Sequence, residues 1–387
     1  MVTMSMKSRL EYLKKIKKRY LKADKEEKTK ILNEYCKNTG HNRKYIIRRL
    51  SAKVSLEEKK SIIRKRGVTY TKEDIYWLSK VWEILDYPCG QRLQPVLADT
   101  IDILIKFKEL KMPKEVADKI KKISSASIDN HLKFYKKKFK RRINGTTKPG
   151  SLLKKQIPIR TSCWDEKRPG SCELDLVAHC GSSAAGEFIN SFGLTDILTQ
   201  WTEYEAIIGK AQKRVQNAID NCKDRLPFDL IAIDPDNGSE FLNWQLFNYC
   251  MEREIDFTRG RPYNKNDNAH IEQKNWTHIR QIIGYRRMET DKQKNLMNDI
   301  YRNELRLYKN FFIPNIKLID KKRIGSHGER IKKIYDKAKT PYQRVLECKD
   351  IDLEQKQQLT KIFINSNPAE LRRNLIAKLN KLAKLKN

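Results

Sequence analysis

The stretch from Phe228 to Arg280 constrains the fold more than any other. It begins with an apolar run, Phe228 to Ile233, held between Pro227 and the polar turn Asp234-Pro235-Asp236-Asn237-Gly238, the pattern of a buried strand that ends abruptly at solvent. A helical pattern over Glu240 to Glu254 and a short strand over Ile255 to Thr258 follow. A basic loop comes next, and Asn268 is the N-cap expected for a further helix with Glu272 one turn in. This order calls for a sheet covered by helices. Thirty-five residues lie between Asp236 and Glu272, so one carboxylate stands at a strand end and a second on the following helix.

Upstream, SCELDLVAHCG (Ser171 to Gly181) supplies a third carboxylate, Asp175, on a strand-like run between Pro169-Gly170 and Gly181. Three carboxylates drawn from two strands and a helix suit two divalent metals. Mg²⁺ takes oxygen ligands and keeps several waters, so an open carboxylate site fits it better than a His/Cys cage. In two-metal phosphoryl transfer the ions sit roughly 3.5 to 4 Å apart, one activating the attacking oxygen and one stabilising the leaving oxygen. Without metal, mutual repulsion would raise the pKa of at least one acid. Each residue also has an ordinary reading. Asp-Asn-Gly is a common turn, Asp234 competes with Asp236 at a gap of 37 residues, and an exposed Glu272 would be unremarkable on a helix. Glu173 shares a strand face with Asp175 by alternation. His179 either orients a ligand or is structural.

Taken in order, Asp175 in ELDLVAHCG, Asp236 in DPDNGSEF and Glu272 in NDNAHIEQKNW resemble the acid triad of the DDE integrase and transposase superfamily, in particular bacterial insertion-sequence transposases with an integrase-type core. The resemblance covers about Cys172 to Ile283. It implies a ribonuclease H-like α/β core with a mixed five-stranded sheet, in which Asp175 and Asp236 sit at adjacent strand ends and Glu272 enters from a helix. It further implies Mg²⁺ or Mn²⁺, two ions per active site, held by Asp175, Asp236 and Glu272. The chain departs from retroviral integrases in two ways. They carry lysines one and two turns after the catalytic Glu, where Trp276 and Ile279 stand here, and their His2Cys2 zinc module is missing.

The charge balance fits a polyanion as partner: 82 Lys and Arg against 48 Asp and Glu give +34 over 387 residues. No 18-residue apolar run or signal-peptide core occurs, so a soluble, cytoplasmic, nucleoid-associated bacterial protein is expected, with no membrane partner. Eight scattered cysteines without a CxxC pair read as reduced thiols rather than a zinc site.

Domain expectations follow from composition shifts. Residues 1–67 hold a helix-turn-helix pattern from Lys25 to Ala52, broken at Thr39-Gly40, whose second helix carries Arg43, Lys44, Arg48 and Arg49 toward DNA. Residues 68–142 form a second helical DNA-binding domain. There Tyr76, Trp77, Val81, Trp82, Ile84 and Leu85 make a core stripe, and a helix from Ser127 turns Asp129, Asn130, His131 and Lys133 outward. A basic tail follows with Lys136, Lys137, Arg141 and Arg142 for phosphates. Residues 143–170 are a basic linker and 171–290 the catalytic core. Residues 291–387 are a mainly helical basic tail with an irregular segment from Ile313 to Leu346. With Trp276 and Ile279 at the positions of those integrase lysines, DNA contacts in the core must come from elsewhere, and Arg259, Arg261, Lys265, Lys274 and Arg280 are the basic candidates.

The expected function is a DNA transposase that binds element ends as double-stranded DNA and cleaves and joins strands, working as a homodimer or higher oligomer on DNA. An inactive transposase-derived repressor or scaffold and a related endonuclease are the alternatives.

Overall fold

The computed structural model describes residues 4–51, 53, 54, 56, 69–136, 167–235, 238, 240–258, 269–324 and 330–385. It divides into two compact units, Met1–Thr69 and Tyr70–Asn387.

The first unit is a three-helix cluster of α1 (Met6–Lys22), α2 (Lys25–Thr39) and α3 (Arg43–Leu50). Each start is capped by a short polar side chain: Ser5, Asp24 and Asn42 accept backbone N–H bonds from the first turns. Gly40, at φ 70°, ends α2 in the left-handed conformation and returns its N–H to Cys36. Leu13, Leu32, Tyr35, Ile46 and Leu50 form the core. The helical break at Thr39-Gly40 is where the sequence places it. The expectation did not include α1, which is strongly basic and buries only Leu13.

The second unit starts with four helices, α4 (Lys72–Ile84), α5 (Gly90–Lys106), α6 (Lys114–Lys121) and α7 (Ser125–Lys136). Then come β1 (Ser171–Ala178), β2 (Ile189–Asp196), β3 (Thr202–Ile208), α8 (Gln212–Lys223), β4 (Ala232–Pro235), α9 (Trp244–Glu252) and β5 (Asp256–Phe257). Helix α10 (Ala269–Lys274) continues as a π-helical turn over Asn275–Arg280, and α11 (Asp291–Ile300) continues as π-helical turns to Phe312. The chain ends with a hairpin of β6 (Leu318–Ile324) and β7 (Arg330–Tyr335), then α12 (Pro341–Glu347), α13 (Leu353–Asn365) and α14 (Pro368–Lys384).

The central sheet has the order β3-β2-β1-β4-β5. β1, β2 and β3 form an antiparallel meander, while β4 runs parallel to β1 and β5 parallel to β4. This mixed five-stranded sheet is consistent with a ribonuclease H-like core. Strand β4 is shorter than the apolar run that announces it. Pairing with β1 starts only at Ser171↔Ala232, because the chain enters β1 through Gly170 at φ 114°, and a Cβ there would lie 2.3 Å from the Asp229 carbonyl oxygen. Residues 228–231 thus have no β1 partner; Ile231 and Ala232 instead donate their N–H groups to the Gly170 carbonyl.

One hydrophobic cluster joins Leu78, Trp82, Leu97 and Ile101 of α4 and α5 to Leu174, Phe192, Ile219 and Ile233 around the sheet. The same cluster takes in Phe311, Tyr342 and Val345 of the C-terminal segment. Polar contacts reinforce it: Tyr308 donates its hydroxyl to the Ile84 carbonyl at 2.5 Å, and Arg373 binds Glu109 through two bonds of 2.7 and 2.8 Å. Helices 72–136 therefore pack on the sheet and the C-terminal helices. Strand β3 is fastened to the C-terminal segment by buried charge. Glu203 accepts from Arg225 at 3.1 Å and Arg306 at 2.8 Å, and Glu205 pairs with Arg302.

Three local expectations are corrected. Tyr76 is 51% exposed rather than core, lying under the Lys80 ammonium group at 5.6 Å. Asp129 faces inward, accepting the Gly90 N–H at 2.8 Å at the start of α5. The segment read as irregular holds β6, β7 and α12.

Candidate active site

Strand β1 alternates, so Glu173 and Asp175 share a face, and helix α10 is bound to that face at two points. The buried Glu173 carboxylate accepts the Ile271 N–H at 2.8 Å, meeting a first-turn amide that has no acceptor within the helix. One turn later Asn275 donates its side-chain amide to Asp175 Oδ2 at 2.7 Å. Asp175 Oδ1 accepts the N–H of Leu176 at 2.8 Å. The register partner of Asp175 on β2 is Gly193. A Cβ at Gly193 would lie 2.8 Å from the Tyr204 ring, 3.0 Å from Ile271 Cδ1 and 3.1 Å from Asn275 Oδ1. The missing side chain is what lets α10 lie so close to the sheet.

Ile271 and Asn275 turn inward, and Glu272, about 80° around α10 from the direction midway between them, is exposed at the margin of that face, while Asp175 is half-buried. Asp236 lies outside the described residues. The preceding residue, Pro235, ends β4 as the register partner of Leu174, so β4 finishes beside Asp175's neighbour. Asp234 pairs in register with Glu173 and is buried. Among the described residues no three His, Cys, Asp or Glu side chains form a metal-holding group. Asp175 and Glu272 offer carboxylate oxygens, the donor type that Mg²⁺ takes.

His179 is structural. Its Nε2 is 2.7 Å from Ser191 Oγ, which is 2.6 Å from the Tyr301 hydroxyl, all three buried. Burial, with Arg280 and Arg286 nearby, lowers its pKa to about 3.

Two expected DNA contacts are corrected. Lys274 is 4% exposed and faces inward. Burial, reinforced by Arg344, Arg92 and Lys309, lowers its pKa to about 7. Arg280 is half-buried: it donates to the Ala178 carbonyl at 3.0 Å and stacks on Tyr285 with 4.4 Å to the ring centre. Neither presents a free cation to a phosphate. On α3, Arg43, Lys44 and Arg48 are exposed and Arg49 is partly buried, with Arg43 bonded to the Asn33 side chain. On α7, Asn130 and Lys133 are exposed, whereas His131 packs edge-on against Tyr70 at 5.6 Å. Lys136 ends α7. Lys137, Arg141, Arg142, Arg259, Arg261 and Lys265 lie outside the described residues.

Sequence reasoning gave neither Asn275 nor Gly193 a role. The available signals were a glycine inside a strand pattern and an Asn three residues after Glu272, on the face that meets the sheet.

A Sinorhizobium fredii (strain NBRC 101917 / NGR234) protein, described as uncharacterized protein y4rM, is 33% identical over 326 residues, covering 83% of this chain and 91% of that protein. The chain belongs to the y4rM family. No protein-family model matches it. Solved structures similar to this y4rM-family chain include the catalytic core domain of BIV integrase, at 17% identity, with 46% of this chain and 94% of that one covered and a TM-score of 0.28. The HTLV-2 integrase catalytic core in complex with magnesium is similar at 13% identity over 38% of this chain and 91% of that one, again with a TM-score of 0.28. No helix among the described residues is long and apolar enough to cross a membrane.

Proposed function

We propose that this y4rM-family chain is a metal-dependent DNA transposase that binds the ends of a mobile element and cleaves and joins strands through Asp175, Asp236 and Glu272. The observation that carries the reading is the convergence at β1. Asp175 is held by Asn275 three residues after Glu272, and β4 runs parallel alongside to end one residue before Asp236. The donor set is carboxylate throughout and fits Mg²⁺ or Mn²⁺, two ions per site, held by the three acids. Bound there, the ions would supply activation of the attacking oxygen and charge stabilisation at phosphorus. The chain's own part is positioning. Asn275 fixes one Asp175 oxygen, Glu173 anchors the start of α10, and α10 carries Glu272 exposed at the margin of the face that meets Asp175, where a DNA strand has access. Exposed Arg43, Lys44 and Arg48 of the first unit, and Asn130 and Lys133 of the second, supply duplex contacts. Action at two element ends with one triad per chain calls for at least two protomers on DNA.

The test is a set of isosteric variants. Asp175→Asn, Asp236→Asn and Glu272→Gln should each abolish cleavage and joining of DNA carrying the gene's flanking sequence while leaving duplex affinity within about twofold, because each removes a metal ligand and no phosphate contact. Asp234→Asn should retain measurable activity. Full activity in any of the first three would remove that residue from the site.

A further inference from the structure

The hairpin β6–β7 stands apart from the central sheet. No third strand pairs with it among the described residues, and none of its described residues joins the hydrophobic clusters of the second unit. It is anchored at its base, where Asn315 and Lys339 exchange backbone bonds of 3.0 and 3.1 Å and Lys317 donates its N–H to the Asp336 carboxylate, itself paired with Arg344. The strands read LIDKKRI and RIKKIY: six Lys and Arg against a single Asp. The register sets like charges opposite one another, Lys322 against Lys332 and Lys321 against Lys333. Because successive residues alternate sides, Lys332 and Lys333 belong to opposite faces of the ribbon. Lys322, Lys332 and Lys333 are exposed.

Directly opposed like charges destabilise a strand pair, and a two-stranded hairpin is marginal on its own. Lysines on open strands also discourage edge-to-edge association, but that purpose does not require a register that sets them opposite one another. A polyanion between or along the faces removes the repulsion. The B-DNA major groove admits a two-stranded ribbon, whereas the major groove of A-form RNA is too narrow for side chains to read.

We propose that the β6–β7 hairpin is a DNA-docking ribbon whose opposed lysines bind the phosphates of B-form duplex DNA irrespective of sequence. This rests on the reading of the chain as a DNA-processing protein and adds a contact surface within the second unit.

The experiment uses the full chain and a triple variant, Lys322→Gln, Lys332→Gln and Lys333→Gln, titrated by fluorescence anisotropy onto a random-sequence DNA duplex over a range of salt concentrations. Neutralising these groups should weaken binding by at least about tenfold near physiological salt and make the slope of log K against log salt shallower by about 2 to 3. The thermal midpoint of the free variant should be equal or higher, since repulsion has been relieved, and the corresponding triple Lys→Arg variant should bind like the parent. Unchanged affinity and slope overturn the proposal, as does increased self-association with unchanged DNA affinity, the behaviour expected of edge-protecting lysines. An equal or larger loss on an RNA duplex overturns the assignment to DNA. If the parent chain fails to bind any DNA duplex, the transposase reading falls as well. If it binds and the triple variant matches it, the ribbon alone is refuted.

Discussion

Lys274 shows how a residue two positions from Glu272 can be withdrawn from solvent by the direction in which the helix turns it. Its folded pKa is about 7 against an ordinary value of 10.5, with burial the first cause. Between those values the unfolded chain holds a proton that the folded chain has released, so stability rises with pH across that window and is lowest below about 7. Lys274→Met should therefore raise the urea midpoint at about pH 6, where the penalty is full, far more than at about pH 10, and remove a slope of at most about 1.4 kcal/mol per pH unit. An unchanged pH slope would mean that Lys274 is solvated in the folded chain. The sequence could not give this orientation. Lys274 reads as one more cation in a chain of +34, and the like charges that add to the lowering of its pKa include Lys309 and Arg344, 35 and 70 positions later. The strand that carries Asp175 and the helix that carries Glu272 were legible because each is a local pattern. Asn275 acquires its role only when Asp175, 100 positions away, is brought beside it.

Among the elements, the seat of α10 on the sheet decides the geometry of the site, and Gly193 controls it. Gly193→Ala places a methyl group within 2.8 to 3.1 Å of Tyr204, Ile271 and Asn275. Overpacking of this kind costs about 1 to 3 kcal/mol, read as a lower denaturant midpoint. The shift of α10 should also break the Asn275 contact to Asp175, so activity should fall by more than the lost stability explains. A variant of parental stability and activity would show that α10 has room to spare. Strand β1 was legible from a strand-like run bounded by Pro169-Gly170 and Gly181, and α9 from its helical pattern. The hairpin was not, because both its faces carry lysine and no apolar alternation marks a buried side. β4 shows a different limit, since its length is set by where β1 begins and not by its own apolar run.

For the whole molecule, the shared core places the workable cut. Removing residues 1–69 takes away a unit with its own core, and the remainder should unfold cooperatively and lose selectivity among DNA ends. Removing residues 1–142 would also strip α4 to α7 from the cluster that holds Leu174 and Phe311, and should yield aggregated or non-cooperative protein. Cooperative unfolding of the shorter piece, followed by circular dichroism, would contradict the shared core. The composition shifts that suggested separate domains at 68–142 and 171–290 mark changes of secondary structure, and a core contributed by segments far apart in sequence leaves no local sign. If the three acids act through divalent metal on DNA, the direct measurement is strand transfer by the full chain on duplexes carrying the gene's flanking ends. Joined products should form in Mg²⁺ or Mn²⁺. In Ca²⁺, which is larger and less exacting in geometry, the chain should bind the same ends with little product, and in a chelator it should form none. Undiminished joining in a chelator, or no cleavage or joining in any of the three metals despite tight end binding, would contradict the account.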